Sequence, residues 1–291
     1  MLKKLFAAIT FVALFAPTLA TSYPLTITDD LGRTVRLQSE PKRIISMLPS
    51  HTETVFALGA SAKLVGIDQY SNYPKLETDK IQKVGNGFMP NLEAIAALKP
   101  DLVLADESSS SKMVQNLEKL GIVVYGGAAQ TYTETFAKIS VLGKVLNRES
   151  TATKLVNTMR NEISGISAKV IGVPRVKVYF EVDPTPYAAG ASSFIGELIT
   201  QAGGINIVPV KLGAFPQISP ELVVAANPAV IIGARLEDLV LRPGWASITA
   251  VKTKQVYNPT GEENDALVRP GPRLAMALKT LVRYLHPDLK L

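Results

Sequence analysis

A fourteen-residue pattern occurs twice in this chain, and this repeat constrains the fold more than any other feature. Residues 91–104 and residues 219–232 both read as a capping residue, a Glu two positions later, an apolar helix, a polar residue, a Pro and a strand. A helix that runs into a buried strand is part of an α/β unit, so two copies predict two equivalent lobes. Ligands often bind at domain interfaces, so the repeat also predicts a binding cleft between the lobes.

Strands alternate with helices around both copies of the repeat. The predicted strands cover residues 43–47, 64–67, 101–105, 122–125, 176–180, 229–233 and 256–257. This alternation predicts mostly parallel sheets that helices cover on both faces. The run from residue 25 to 35 instead alternates around an Asp-Asp turn and a Gly, which predicts a β-hairpin at the start of the mature chain.

A long segment without proline lies between the two copies. Residues 132–169 contain only Gly143 and Gly165 as helix-weakening residues, and their apolar positions recur at helical spacing. We therefore predict one or two helices there, the later one long, and an α/β fold in which a helical segment joins two lobes. The boundaries that we predict are 1–20 for a signal peptide, 21–142 for the N-terminal lobe, 143–172 for the connecting helix and 173–291 for the C-terminal lobe.

The first twenty residues have the pattern of a secretory signal. Lys3 and Lys4 precede an apolar stretch from Leu5 to Phe15, and Thr18-Leu19-Ala20 is a small-x-small cleavage site. We expect cleavage near Ala20 and a periplasmic product. The chain has no cysteine, so disulfides, thiolate metal sites, cysteine nucleophiles and a lipid on an N-terminal cysteine are excluded. The formal net charge of +6 is too small and too dispersed to indicate nucleic-acid binding.

The histidines give little support to catalysis. His51 and His286 are the only two, and without cysteine they form no zinc-ligand pattern, so we predict no metal site and no catalytic residue. We expect His286 to be exposed in a charged C-terminal tail. Ser50 is expected to cap a helix with Glu53 as its capping-box partner. His51 then lies at a helix start in the first βα turn, which favours a pocket-rim position or helix-start capping over catalysis and leaves a ligand role open. An exported hydrolase that pairs a nucleophile with one of these histidines stays an alternative.

Two glutamates occupy equivalent places in the repeat. Glu93 and Glu221 each lie in the first turn of the repeated helix, where the helix dipole favours a carboxylate. That preference alone would explain either residue. Their recurrence in two lobes also suits a partner that presents two basic sockets, because complementary charges steer and orient docking. We expect Glu93 and Glu221 to contact such a partner.

A group of aromatic residues differs from the aromatics of the predicted core. Tyr70, Tyr73, Phe88, Tyr187 and Phe215 lie beside Pro, Gly and polar residues, at the mouths of predicted βα units. Loops at the carboxyl ends of strands are where open α/β sheets bind ligands. Aromatic side chains offer a large contact area with few rotamers to immobilise, so these residues suit the walls of a site for a large planar ligand.

Three segments resemble a known family. They are residues 43–53, residues 91–103 and the second copy of the repeat, residues 219–232. They are similar to the periplasmic binding proteins of the iron-siderophore, haem and cobalamin class, which serve ABC importers. The resemblance covers essentially the whole mature chain. It implies the class III periplasmic binding protein fold, with two Rossmann-like lobes joined by a single long backbone helix, and no enzymatic activity.

Two further segments are similar to the cobalamin-binding branch of this family. They are residues 65–74 and residues 181–190. By position, the resemblance implies an aromatic ligand wall made of Tyr70, Phe88, Tyr187 and Phe215, with Arg269 near the rim of the second lobe. It also implies that Glu93 and Glu221 dock onto arginines of the importer's membrane subunits.

The ligand that these features favour is a cobalt corrinoid, vitamin B12 or cobinamide. The protein would capture it between the lobes as a monomer without an intrinsic cofactor and hand it to an ABC importer. Haem is an alternative ligand, with Tyr70, Tyr73 or His51 bound to its iron, since tyrosinate and imidazole both ligate haem iron. A ferric siderophore is another alternative, although a catecholate would favour more arginine than the predicted cleft offers.

Overall fold

The computed structural model describes residues 23–87, 89–106 and 111–291, with no side-chain description for Ser111. The predicted signal peptide and its cleavage site lie outside the described residues, as does Phe88. The strands are β1 (Leu25–Thr28), β2 (Thr34–Leu37), β3 (Ile44–Ser46), β4 (Leu64–Ile67), β5 (Leu102–Ala105), β6 (Val123–Gly126), β7 (Val176–Asp183), β8 (Tyr187–Ala188), β9 (Gly204–Asn206), β10 (Val230–Ile232) and β11 (Val256–Tyr257). β1 and β2 form the predicted antiparallel hairpin.

Helices follow most of these strands. They are α1 (Pro49–Ala57), α2 (Lys75–Thr78), α3 (Leu92–Ala97), α4 (Ser111–Lys119), α5 (Tyr132–Val145), α6 (Glu149–Lys169), α7 (Phe194–Gln201), α8 (Pro220–Ala226), α9 (Leu236–Leu239), α10 (Thr249–Lys252), α11 (Gly261–Val268) and α12 (Leu274–Leu285). Within the parts of the chain that the structure describes, no helix combines the length and the apolarity needed to cross a membrane.

The sheet of the first lobe is parallel and has the strand order β4-β3-β5-β6. Its two faces pack against different cores, because side chains alternate along a strand. Leu102 and Leu104 join a large cluster that extends into the second lobe, whereas Val103 and Ala105 join a separate cluster within the first lobe. All four residues of β5 are buried, which explains why this strand reads as a continuous apolar run.

The sheet of the second lobe has the order β11-β10-β7, and both β8 and β9 pair along the remaining edge of β7. β8 is antiparallel and the other pairings are parallel. Val230 and Ile232 belong to the large shared cluster, whereas Ile231 belongs to a cluster within this lobe. Each lobe therefore has a hydrophobic cluster of its own on one face of its sheet and contributes the other face to a cluster that both lobes share. The predicted α/β fold with parallel sheets is confirmed.

Helices α5 and α6 run between the two sheets in sequence. A Cβ atom at Gly143 would collide with the Cβ of Ala152, so glycine is what lets the two helices pack closely. One face of α6 buries Ala152, Val156, Met159 and Ile163, all of which join the shared core. The predicted connector, residues 143–172, contains the whole of α6 and the last three residues of α5.

Two local predictions are wrong. α1 begins at Pro49 after Leu48, which provides no side-chain cap, so Ser50 lies inside the helix and forms no capping box with Glu53. Proline at the first helical position needs no N–H partner, and the Glu53 carboxylate binds arginines of the other lobe instead. His286 is buried rather than exposed, because its Nε2 lies 3.0 Å from the carbonyl oxygen of Ala202 where the chain packs back after α12.

Candidate ligand-binding cleft

A cleft of about 460 Å³ lies between the two lobes. Its lining comprises Leu48, Pro49, Ser50, Tyr70, Asp106, Ala128, Ala129, Gln130, Phe194, Ile195, Phe215, Asp265, Val268, Arg269 and Pro270. The residues of the first lobe follow the carboxyl ends of all four parallel strands of its sheet. This is the edge where open α/β sheets bind ligands, and the volume is within the usual range for a small-molecule site.

Two of the predicted aromatic residues line this cleft, one from each lobe. Tyr70 follows β4 and is 59% exposed, and Phe215 precedes α8 and is 50% exposed. Exposed aromatic area at the mouth of a cleft is available for stacking against a ligand. Tyr187 is 42% exposed but is not part of the lining, although it pairs through its backbone with Gln217, two residues from Phe215.

The backbone of Tyr70 is held on both sides. Its N–H donates to Oδ1 of Asp68 at 2.8 Å, and its carbonyl accepts from Nη2 of Arg269 at 3.2 Å. Burial raises the pKa of Asp68, opposed by the hydrogen bonds that its carboxylate accepts from Ser71 and from the Tyr70 backbone. Asp68 lies behind the cleft wall rather than in it, so it orients Tyr70 without lining the site.

Arg269 lines the cleft, but both of its terminal nitrogens already bind protein groups. Its Nη1 donates to Glu53 Oε1 at 3.0 Å and to Asn72 Oδ1 at 2.7 Å, and its Nη2 donates to Asp265 Oδ1 at 2.8 Å. Among the described residues of the lining, Arg269 is the sole cation, and Asp106 and Asp265 are the acids. The cleft therefore presents no surplus of positive charge to a ligand.

The structure does not bring His51 or Tyr73 into the lining. His51 is 3% exposed, and neither ring nitrogen has a hydrogen-bond partner of normal geometry among the described residues. Burial lowers the pKa of His51 to about 4, and the backbone of Gly127 opposes this shift. Tyr73 is covered by Arg273, whose guanidinium carbon lies 4.2 Å from the ring centroid. The predicted rim position of His51 is corrected: it lies beneath the cleft surface as a neutral imidazole.

Glu93 and Glu221 occupy the same position in the two copies of the repeat. Asn91 caps α3 by accepting from the N–H of Ala94 at 3.0 Å, and Ser219 caps α8 by accepting from the N–H of Leu222 at 3.3 Å. Each glutamate is the second residue of its helix and is exposed. Neither forms an ion pair with any other residue that the structure describes.

The ends of the repeated helices are equivalent as well. Lys99 and Asn227 both adopt positive φ, +47° and +48°, immediately before a proline and the following strand. The repeat thus fixes where each helix begins, where it ends and where its glutamate lies.

Sequence reasoning missed three polar residues of the cleft: Asp106, Gln130 and Asp265. A simple signal could have found the first, because Asp106 directly follows a buried apolar strand at the edge where ligands bind. Gln130 also follows a strand, four residues after the end of β6. Asp265 carries no such signal, since it enters the cleft from helix α11.

The family model described as "Periplasmic binding protein" matches residues 44–261. The chain is 35% identical over 278 residues to an uncharacterized ABC transporter substrate-binding lipoprotein, YvrC, of Bacillus subtilis, covering 91% of this chain and 87% of that protein. It is 30% identical over 247 residues to a vitamin B12-binding protein of Salmonella typhimurium, covering 84% and 90%. The crystal structure of the periplasmic vitamin B12 binding protein BtuF of Vibrio cholerae superposes with a TM-score of 0.72 at 26% identity, covering 84% of this chain and 96% of that one.

The chain therefore belongs to the periplasmic binding protein family. Within it, the protein is an ABC transporter substrate-binding protein of the class that takes vitamin B12, siderophores and haem. This is a family of extracytoplasmic solute-binding proteins rather than of enzymes.

Proposed function

We propose that the protein captures a corrinoid, vitamin B12 or cobinamide, between its lobes and delivers it to an ABC importer. The observation that carries this proposal is a cleft with Tyr70 on one lobe, Phe215 on the other and no uncompensated cation among the described residues of its lining. A corrin ring offers broad apolar faces to such walls, and its amide arms need hydrogen-bond partners rather than a charge partner.

Charge separates the corrinoid from the other ligands of the class. Haem carries two propionates, and ferric catecholates carry several negative charges, so both require cations at the site. Arg269 is already paired with Glu53 and Asp265, and it is the sole cation among the described residues of the lining. An anion in this cleft would therefore lose hydration without gaining a free cation as a partner, which costs free energy in a partly desolvated site.

The polar residues of the lining suit amides instead. Gln130 can donate and accept, Ser50 can do both, and Asp106 can accept from an amide N–H. The relatives that are named for vitamin B12 binding support the same ligand. Tyr187, beside the Phe215 segment, extends the aromatic wall in this proposal, and Phe88 does so on the first lobe. His51 is not a ligand contact in the proposal, because it is buried.

Delivery requires a contact with the importer, and we assign it to Glu93 and Glu221. Two exposed carboxylates without an intramolecular partner in the described structure, one on each lobe, present a spaced pair of charges to basic sockets on membrane subunits. In this proposal the signal peptide is removed near Ala20, residues 21–142 and 173–291 act as the two lobes of a periplasmic monomer around the connector, residues 143–172, and the protein catalyses no reaction.

Isothermal titration of the mature protein tests the ligand. We expect cyanocobalamin to bind with one-to-one stoichiometry and submicromolar affinity, and cobinamide to compete for the same site. Haem and a ferric catecholate siderophore serve as the anionic controls and should bind at least tenfold more weakly. Tight haem binding with a shifted Soret band, together with no heat from cyanocobalamin, would contradict the corrinoid assignment while leaving the family membership intact.

A further inference from the structure

The two lobes are tied together beside the cleft by a set of polar contacts around the buried carboxylate of Glu53. We call this set the inter-lobe clasp, and it consists of Glu53, Asn72, Asp265, Arg269 and Arg273. Glu53 and Asn72 belong to the first lobe, and the other three flank the turn between α11 and α12 in the second lobe. The side chain of Glu53 is only 3% exposed.

Glu53 is the centre of the clasp. Arg273 donates to its carboxylate from Nε at 2.8 Å and from Nη2 at 2.6 Å, and Arg269 donates from Nη1 at 3.0 Å. This paired geometry between a guanidinium and a carboxylate is strong and directional. A third contact is made by the guanidinium of Arg273, which lies over the ring of Tyr73 in the first lobe at 4.2 Å.

A closed ring of hydrogen bonds lies next to this pair. Arg269 donates to Asn72 at 2.7 Å and to Asp265 at 2.8 Å, and Asn72 donates to the other oxygen of Asp265 at 2.9 Å. Two negative and two positive charges balance in the clasp, so no charge is left unpaired. Arg269 also holds the carbonyl of Tyr70, which connects the clasp directly to the aromatic wall of the cleft.

The turn that carries the two arginines reaches the first lobe as well. Arg269-Pro270-Gly271-Pro272-Arg273 places two rigid prolines around a glycine, and Gly271 lies against Ser50 of α1. Proline fixes the backbone of the turn, so both guanidiniums are presented at a set spacing. Ser50 and Pro270 are themselves part of the cleft lining.

We infer that the inter-lobe clasp fixes the separation of the lobes before any ligand binds, and that Glu53 and Arg273 are positioning residues for the cleft although neither lines it. Rotation of one lobe away from the other would break the contacts to Glu53 together and would leave its buried carboxylate without its arginine partners. The ligand therefore meets a preset cleft in which Tyr70 is already oriented. The effect on affinity rests on the proposed function, whereas the effect on lobe separation does not.

The absence of cysteine in the chain allows a direct test. Spin labels at Lys119→Cys and Lys252→Cys, exposed positions in the first and second lobes, report the lobe separation by double electron–electron resonance. We expect a narrow distance distribution without ligand, the same distribution with cyanocobalamin, and a broadened distribution in Glu53→Gln. An unchanged narrow distribution in Glu53→Gln would overturn the inference.

A matched control is available within the second lobe. Glu181 is equally buried and accepts two hydrogen bonds from Arg242 at 2.6 and 2.8 Å, but both residues belong to one lobe. Glu181→Gln should lower stability without broadening the inter-lobe distances. If both variants broaden them equally, general destabilisation would account for the effect and the inference fails.

A milder variant covers the case in which Glu53→Gln does not fold. Asn72→Ala removes two hydrogen bonds of the clasp but leaves every charge paired, so it should fold. We expect partial broadening and about a tenfold weaker apparent affinity for cyanocobalamin, because a smaller fraction of molecules is in the competent state. Wild-type distances and wild-type affinity in Asn72→Ala would contradict the inference. Failure of the wild type to bind cyanocobalamin would instead contradict the proposed ligand and leave the distance test intact.

Discussion

The repeated and the unrepeated parts of this molecule differ in what they contribute. The repeated units are α3 with β5 and α8 with β10. Both have a side-chain cap at the same position, a glutamate as the second helical residue and a residue with positive φ directly before a proline. The cleft is lined largely by residues outside the repeated units, such as Tyr70 after β4, Phe215 before α8 and Arg269 after α11.

This difference indicates a division of roles. The repeat supplies two equivalent supports, each with one exposed carboxylate that we propose as a docking contact. The unrepeated turns supply a cleft that is different on its two sides, as an asymmetric ligand requires. Substitutions in the two parts should therefore change different measurable properties.

The largest expected effect comes from reversing charge in the repeated units. The double variant Glu93→Lys and Glu221→Lys should abolish ligand import in a reconstituted transport assay, because the basic sockets of the importer would repel it. Affinity for cyanocobalamin should stay within about twofold of wild type, since neither residue lines the cleft. A loss of cyanocobalamin affinity large enough to explain the loss of import would contradict the proposal that these residues act in docking and not in ligand binding.

The next effect concerns α1, which lies outside the repeat and carries His51 beneath the cleft. The folded-state pKa of His51 is about 4, below its ordinary value of 6.5, because burial disfavours the charged ring. Below pH 6.5 the unfolded chain takes up a proton that the folded chain excludes. The free energy of unfolding should therefore fall by about 3 kcal/mol between pH 6.5 and pH 4 and level off below that.

Urea unfolding at a series of pH values measures this contribution. Other groups titrate in the same range, so the quantity to follow is the difference between wild type and His51→Gln. The part of the pH dependence that belongs to His51 should be absent in the variant. Parallel pH profiles for the two proteins would show that His51 is not held neutral by burial.

A smaller effect is expected in the unrepeated Phe215 segment. Phe215→Ala removes the aromatic side chain that the second lobe offers to the corrin ring in this proposal. The change should weaken cyanocobalamin binding by about 10- to 100-fold. Leu241→Ala is the control, because Leu241 is an exposed apolar residue outside the described lining. Titration calorimetry separates the two, and equal affinities for both variants would remove Phe215 from the binding site.

The smallest effect tests whether the two copies of the repeat are energetically equivalent. Asn91→Ala and Ser219→Ala each remove one side-chain cap and should each lower the free energy of unfolding by about 1 kcal/mol. Neither change should affect ligand affinity. A large difference between the two losses would show that the lobes use the repeated cap differently.

Much of the fold could be predicted from local pattern. Strand β11 has the bounds that the sequence predicts, and β5 begins one residue later than predicted and ends where predicted. Apolar runs bounded by Pro and capping residues determine such elements with little help from the rest of the chain. Strands β8 and β9 were missed, because these two- and three-residue segments exist only through pairing with the edge of β7.

The errors at Glu53 and His286 have the same cause. The Ser50 and Glu53 spacing matches a capping box, but Glu53 is bound by arginines more than two hundred positions away. His286 lies in a polar tail, yet it packs against the end of α7 through Ala202. A local sequence pattern contains no information about a partner residue that only folding brings close.

The same distinction between local patterns and long-range partners holds in the candidate site. Tyr70 and Phe215 could be predicted because aromatic residues set beside Pro, Gly and polar residues in loops have a local signature. The pairing of Asn72 with Asp265 could not, since it depends on how the two lobes approach each other.

A crystal structure of the mature protein grown with cyanocobalamin tests the central claim most directly. The account predicts the corrin ring between Tyr70 and Phe215, with Arg269 still bound to Glu53 and Asp265 and with the lobes at the separation they have without ligand. A corrinoid bound outside the cleft, or a cleft that opens by breaking the contacts of Glu53, would contradict it.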